Sequence, residues 1–96
     1  MQLSYVYILE CRDGSYYTGV TNDVYERFKE HKKGVDPKSY TYNSRPLKLV
    51  FFGSFTSIEI AIAKEKQIKK WSRAKKLALI EGRYKDLPNL AKKDFS

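Results

Sequence analysis

The turn signal Arg12-Asp13-Gly14 lies between two runs of β-branched and aromatic residues, Tyr5 to Glu10 and Tyr16 to Val20. Such residues favour strands, and Asp-Gly supplies the positive φ that a tight hairpin needs. An antiparallel hairpin therefore opens the fold. Thr21-Asn22-Asp23 follows, rich in capping residues, and Asp23 with Glu26 has capping-box spacing. A first helix is predicted from Asp23 to Lys33, ending at Gly34, where glycine takes the left-handed cap. Gly34 to Pro46 reads as a loop, with Tyr40, Thr41 and Tyr42 as a short extended piece. The apolar run Leu47 to Phe55 is predicted to be a buried strand. Thr56 and Glu59 repeat the capping-box spacing and open a second helix, Ser57 to Trp71. Ser72 caps a third, Arg73 to Glu81, which Gly82 ends. The order is ββαβαα: an α+β (mixed α/β) fold, a three-stranded antiparallel sheet flanked by three helices. Residues 1–84 are expected to form one domain and residues 85–96 a loosely packed basic tail.

The chain has 96 residues, of which 42% are hydrophobic, enough for one core and too many for a disordered chain. No run approaches the roughly eighteen apolar residues that a spanning helix needs, and with strand-like alternation from the first residues no signal peptide is expected. Cys11 is the single cysteine, so no intrachain disulfide forms. A cytoplasmic protein with no membrane partner is expected. Nineteen Lys and Arg against eleven Asp and Glu give a net charge of +8, a field that attracts polyanions.

Three features sit where packing alone does not put them. Glu65 lies at the centre of a helical stripe formed by Ile58, Ala61, Ile62, Ile68 and Lys69. A carboxylate there needs a metal ion, a cation or hydrogen bonds to offset desolvation, unless its head reaches solvent along an apolar stem. Arg27 and His31 are one helical turn apart beside Val24 and Phe28, so both heads can point at one anion. Eight residues are Tyr, and Tyr5, Tyr7, Tyr16 and Tyr17 concentrate in the hairpin. Alternation lets one Tyr from each strand share a sheet face beside the helices. A phenol there can orient water or remove a proton, although aromatic pairs are also ordinary in hairpins.

These residues resemble a known family. Tyr5-Val6-Tyr7 on the first strand, followed by Tyr17-Thr18-Gly19 on the second, is similar to the GIY…YIG pair of the GIY-YIG nuclease superfamily. Arg27 and Glu65 stand where that family keeps its catalytic arginine and metal-binding glutamate, and His31 matches a position often occupied by His or Tyr. The resemblance spans about Tyr5 to Ile80 and is greatest to small standalone bacterial members. It implies a metal-dependent endonuclease acting on phosphodiester bonds, with DNA favoured over RNA. Glu65 would hold one Mg²⁺, with Mn²⁺ as a substitute; Arg27 would stabilise the transition state; Tyr7 or Tyr17 would orient or activate water; His31 would assist proton transfer or hold phosphate. Gly19 would allow close backbone approach. The family's asparagine after the glutamate helix has no counterpart in Ile80-Glu81-Gly82-Arg83-Tyr84.

A basic face is expected to grip phosphates through Lys29, Lys32, Lys33, Lys69, Lys70 and Arg73. Tyr42 and Trp71 can stack on unpaired bases, although Trp71 shares an apolar edge with Ile60 and reads better as packing. So small a domain has little surface for base readout, which leaves DNA repair or processing with a targeting protein partner as the expected setting. Two alternatives compete: a non-catalytic nucleic-acid-binding module on the same fold, and a protein-interaction subunit with exposed aromatics.

Overall fold

A computed structural model of the chain describes residues 2–83, so the tail expected over 85–96 lies outside the described residues. The elements run β1 (Ser4–Glu10), β2 (Tyr16–Thr21), α1 (Val24–Lys33), β3 (Lys48–Phe55), α2 (Ile58–Lys69) and α3 (Arg73–Ile80), with a short 3-10 turn at Tyr42–Ser44. The order ββαβαα is the expected one. Both pairings of the three-stranded sheet are antiparallel, in the order β2-β1-β3. The connecting turn of the hairpin is held by the Asp13 carboxylate, which accepts from the Ser15 backbone N–H at 3.0 Å and the Ser15 hydroxyl at 2.7 Å. Gly14 takes the positive φ of 86° that the sequence signal implies.

Because β1 is the central strand, both of its faces are covered. Val6 and Ile8 are fully buried against Ala61 and Ile68 of α2 and Ala78 and Leu79 of α3. Tyr7 and Leu9 point the other way, onto Cys11 and Leu47, with Val24 and Phe28 of α1 packed beside them. The sheet thus separates α2 and α3 from α1. Each large apolar side chain fully buried in these layers contributes about 1.5–3 kcal/mol.

Four expectations need correction. The apolar run Leu47 to Phe55 is not a buried strand: β3 lies at an edge, and none of its residues is fully buried. Phe51 and Phe55 pack on the core, while Phe52 is 57% exposed and meets Tyr5 edge-on, with ring centroids 6.2 Å apart. A continuous apolar run cannot distinguish a central strand from an edge strand covered on one face. The second helix is capped by Ser57 rather than Thr56: the Ser57 hydroxyl accepts from the Ile60 N–H, and α2 ends at Lys69 instead of Trp71. Ile58 and Lys69, expected in the buried stripe, are exposed at its two ends, and Ile60 is half exposed whereas Trp71 packs on the core. Residues Tyr40 to Tyr42 are not extended. Successive backbone bonds from Ser39 to Asp36, Tyr42 to Ser39 and Ser44 to Thr41 wind them into turns.

α1 and α3 follow their capping signals. The Asp23 side chain accepts from the Glu26 N–H, and Gly34 closes α1 in the left-handed region at φ 68°. Ser72 caps α3 by accepting from the Lys75 N–H.

Candidate active site

The register of the hairpin builds the first half of the site. Tyr7 pairs with Gly19 and Leu9 with Tyr17, so Tyr7 and Tyr17 share the face that α1 covers. Their ring centroids are 6.4 Å apart. The Tyr7 ring lies directly over the β2 backbone at Gly19, where an added Cβ would stand 2.5 Å from the phenol oxygen. Glycine is therefore needed at this position for close approach, and what approaches is the neighbouring strand's phenol.

The second half comes from α1. His31 Nε2 is 3.0 Å from the Tyr7 hydroxyl, and Nδ1 is 2.7 Å from the Thr41 hydroxyl. The imidazole also meets Tyr17 edge-on, with centroids 5.4 Å apart. Tyr40, 66% exposed, stacks on Tyr17 at 5.9 Å with an interplanar angle of 18°. Arg27, one turn before His31, holds Glu30 through Nε at 3.1 Å, and both side chains are about half exposed. A cavity of about 300 Å³ opens beside Tyr17, Arg27, Glu30, His31, Thr41 and Tyr42.

The electrostatics follow from this placement. Burial, reinforced by the nearby Tyr17 and opposed by Arg27, pushes the Tyr7 phenol up to about 12. Burial first and the Arg27 charge second hold the His31 imidazole below its ordinary value, with Glu30 opposing. At neutral pH the pair is a protonated phenol facing a neutral imidazole.

Glu65 is supplied by α2. Its side chain is only 13% exposed, with one oxygen 2.8 Å from Lys69 Nζ. It does not line the cavity beside Arg27 and His31. Its donor chemistry still fits a hard cation. A nearly buried carboxylate held by one half-exposed ammonium keeps lone pairs for an ion that retains most of its waters. Among the described residues no cluster of three or more His, Cys, Asp or Glu forms a dedicated protein cage.

The expected basic residues are distributed over α1, the end of α2 and the start of α3. Lys29 and Lys32 lie over the rings of Tyr25 and Phe28 on α1, and Lys33 ends that helix. Lys69 pairs with Glu65, and Lys70 caps α2. Arg73 remains exposed but engages the hairpin: its guanidinium lies over the Tyr16 ring at 4.6 Å and donates to the Gly14 carbonyl. Helical periodicity cannot foresee this arrangement, because it does not say which side of a sheet each helix takes. Thr41, Ser39 and Tyr40 are not singled out as site residues by the sequence, since a loop hydroxyl ten residues from a histidine forms no pattern.

Residues 3–78 match the family of the GIY-YIG catalytic domain. The chain belongs to the GIY-YIG family. A UPF0213 protein of Syntrophus aciditrophicus is 46% identical over 81 residues, covering 84% of this chain and 93% of the relative. One from Halalkalibacterium halodurans is 49% identical over 76 residues, covering 79% and 80%. The solution NMR structure of a UPF0213 protein from Bacillus halodurans, 46% identical, superposes with a TM-score of 0.53 over 82% of this chain and 83% of that one. An NMR structure of an E. faecalis protein, 26% identical, gives 0.59 over 93% and 94%. Membership in this family points to nuclease activity, nucleic acid as the partner and a divalent metal as the cofactor. No helix among the described residues is long and apolar enough to cross a membrane.

Proposed function

We propose that this GIY-YIG protein is an endonuclease that hydrolyses phosphodiester bonds, DNA before RNA, with Tyr7, Tyr17, Arg27, His31 and Glu65 as its working residues. The observation that carries the reading is the 3.0 Å contact between the Tyr7 hydroxyl and His31 Nε2 beside an arginine-lined cavity. A phenol raised to about 12 cannot act as a base alone at neutral pH. It can do so if, as it takes a proton from the attacking water, it passes its own to the lone pair of a neutral imidazole. His31 is held in that neutral form by burial and by Arg27. Tyr7 is thus the better candidate for the proton-transferring tyrosine. Tyr17, less buried, orients water or phosphate. The Arg27 guanidinium exchanges Glu30 for phosphate oxygens and stabilises the charge that builds on them in the transition state. Glu65 would hold the divalent ion, Mg²⁺ with Mn²⁺ as substitute, which supplies charge neutralisation at the leaving oxygen.

Lys29, Lys32 and Lys33 lie on the same helix as Arg27 and His31, and so are the first candidates for phosphates flanking the cut. Lys69, Lys70 and Arg73 are placed for a second contact or for internal roles. A cytoplasmic setting and a targeting partner accord with the small size and strong positive charge.

The test is cleavage of supercoiled plasmid and of labelled flap, hairpin and single-stranded substrates with Mg²⁺, Mn²⁺ or EDTA. Wild type runs beside Arg27→Ala and Glu65→Gln. Metal-dependent cutting that disappears in both variants is expected. Cutting insensitive to both would overturn the assignment. The competing reading, a binding module without catalysis, is favoured by Arg27 and Glu65 each holding an ion-pair partner. It predicts salt-sensitive binding without cutting.

A further inference from the structure

We propose that Thr41 is a positioning residue that fixes the tautomer of His31, so that Nδ1 carries the proton and Nε2 faces Tyr7 as an acceptor. The proposal rests on the nuclease reading for its consequence, but not for its geometry. Thr41 is 1% exposed, and its hydroxyl lies 2.7 Å from His31 Nδ1 and 3.1 Å from the Ser39 hydroxyl. Ser39 Oγ also accepts from the Thr41 backbone N–H at 3.4 Å.

A neutral imidazole has one N–H and one lone pair, and the two must be shared between Tyr7 and Thr41. A phenol is a far stronger acid than an aliphatic hydroxyl, so the better match gives the lone pair to Tyr7. Arg27 reinforces that choice. Its guanidinium can only donate, and its positive charge near the Tyr7 oxygen favours that oxygen as an acceptor on its side. The phenol proton is then directed to His31 Nε2. Thr41 accepts from Nδ1–H and donates onward to Ser39. Its closed turn, Tyr42 N–H to Ser39 carbonyl and Ser44 N–H to Thr41 carbonyl, holds the hydroxyl in place. In the reaction, the proton from Tyr7 forms a bond to Nε2 and leaves an imidazolium whose second N–H is already satisfied by Thr41.

His31 is the chain's one histidine, so its imidazole nitrogens can be read without ambiguity in long-range proton–nitrogen spectra of the ¹⁵N-labelled full chain. Above the imidazole titration, wild type is expected to show a protonated Nδ1 and an unprotonated Nε2. Thr41→Val removes the hydroxyl at nearly constant shape and should abolish that preference, while Thr41→Ser keeps it. Cleavage should fall about tenfold to a hundredfold in Thr41→Val and recover in Thr41→Ser, by analogy with the loss seen when the partner that orients a metal-bound imidazole is removed. A protonated Nε2 in wild type overturns the proposal, whatever the variants do, and so does an unchanged tautomer in folded Thr41→Val. The expected tautomers in a protein that never cuts would uphold the positioning role and overturn the nuclease reading instead.

Discussion

Thr18 occupies the middle of the Tyr17-Thr18-Gly19 tripeptide, and its hydroxyl is buried with no hydrogen-bond partner among the described residues. It faces the α2 side, opposite Ile8 in the hairpin register. A buried hydroxyl without a partner costs about 1–3 kcal/mol relative to water. Thr18→Val, which swaps the hydroxyl for a methyl, should therefore raise stability by about 1 kcal/mol, seen as a higher urea midpoint at unchanged slope. A lower midpoint would show that the hydroxyl is satisfied in solution. Tyr7 makes a prediction of the opposite sign at high pH. Its folded pKa of about 12 lies above the ordinary 10.0, so the folded state keeps this proton longer than the unfolded chain does. The resulting stability is complete below pH 10.0 and is lost as pH rises towards 12. Tyr7→Phe should show a smaller drop in urea midpoint across that window than wild type. Equal drops would mean that the phenol is not desolvated as described.

At the scale of elements, one guanidinium ties the segment between α1 and β3 back to the end of α1. Arg45 donates to the Tyr42 carbonyl at 2.8 Å and the Lys33 carbonyl at 3.2 Å, and lies over the Tyr42 ring at 4.6 Å. It also fills the space beside Gly34, where a Cβ would stand 2.6 Å from its central carbon. Arg45→Met should cost about 1–2 kcal/mol, because its charged hydrogen bonds disappear, and loosen the turn that carries Thr41. Hydrogen exchange at the Tyr42 and Ser44 amides is the check: faster exchange there, with the β1 amides unchanged, is expected. Uniform acceleration would instead mean global destabilisation. The elements themselves were legible because their ends carry strong local signals, Asp23 and Gly34 for α1 and Ser72 for α3. Arg27 and His31 were likewise legible as a pair, since one helical turn separates them. The turns around Thr41 were not, because they are held by Arg45 and by bonds between hydroxyls, and neither leaves a periodicity. Nor was the edge position of β3, which depends on long-range pairing with β1 and not on the run's own composition.

For the whole molecule, the net charge of +8 is divided between two layers by the sheet. If the phosphates flanking the cut run along α1 from the Arg27–His31 cavity, Lys29, Lys32 and Lys33 contact them and Lys70, at the end of α2, does not. Replacing the α1 trio by Gln should then reduce the dependence of log K on log salt by about 0.9 for each duplex phosphate that a lysine no longer neutralises. Replacing Lys70 should leave that slope almost unchanged. The reverse pattern, measured by DNA-binding titrations over a range of salt, would move the binding face to the α2 layer. Equal effects would require a substrate that wraps both.

The central place of β1 has a kinetic consequence. Its pairing with β2 joins neighbours across one tight turn, whereas its pairing with β3 brings Glu10 to Lys48 and closes a long stretch of chain. Loop-closure entropy delays the second pairing and not the first. The backbone that aligns Tyr7 with Gly19 can therefore assemble early, before the helices arrive, while the docking of β3 sets the pace at which the finished molecule forms.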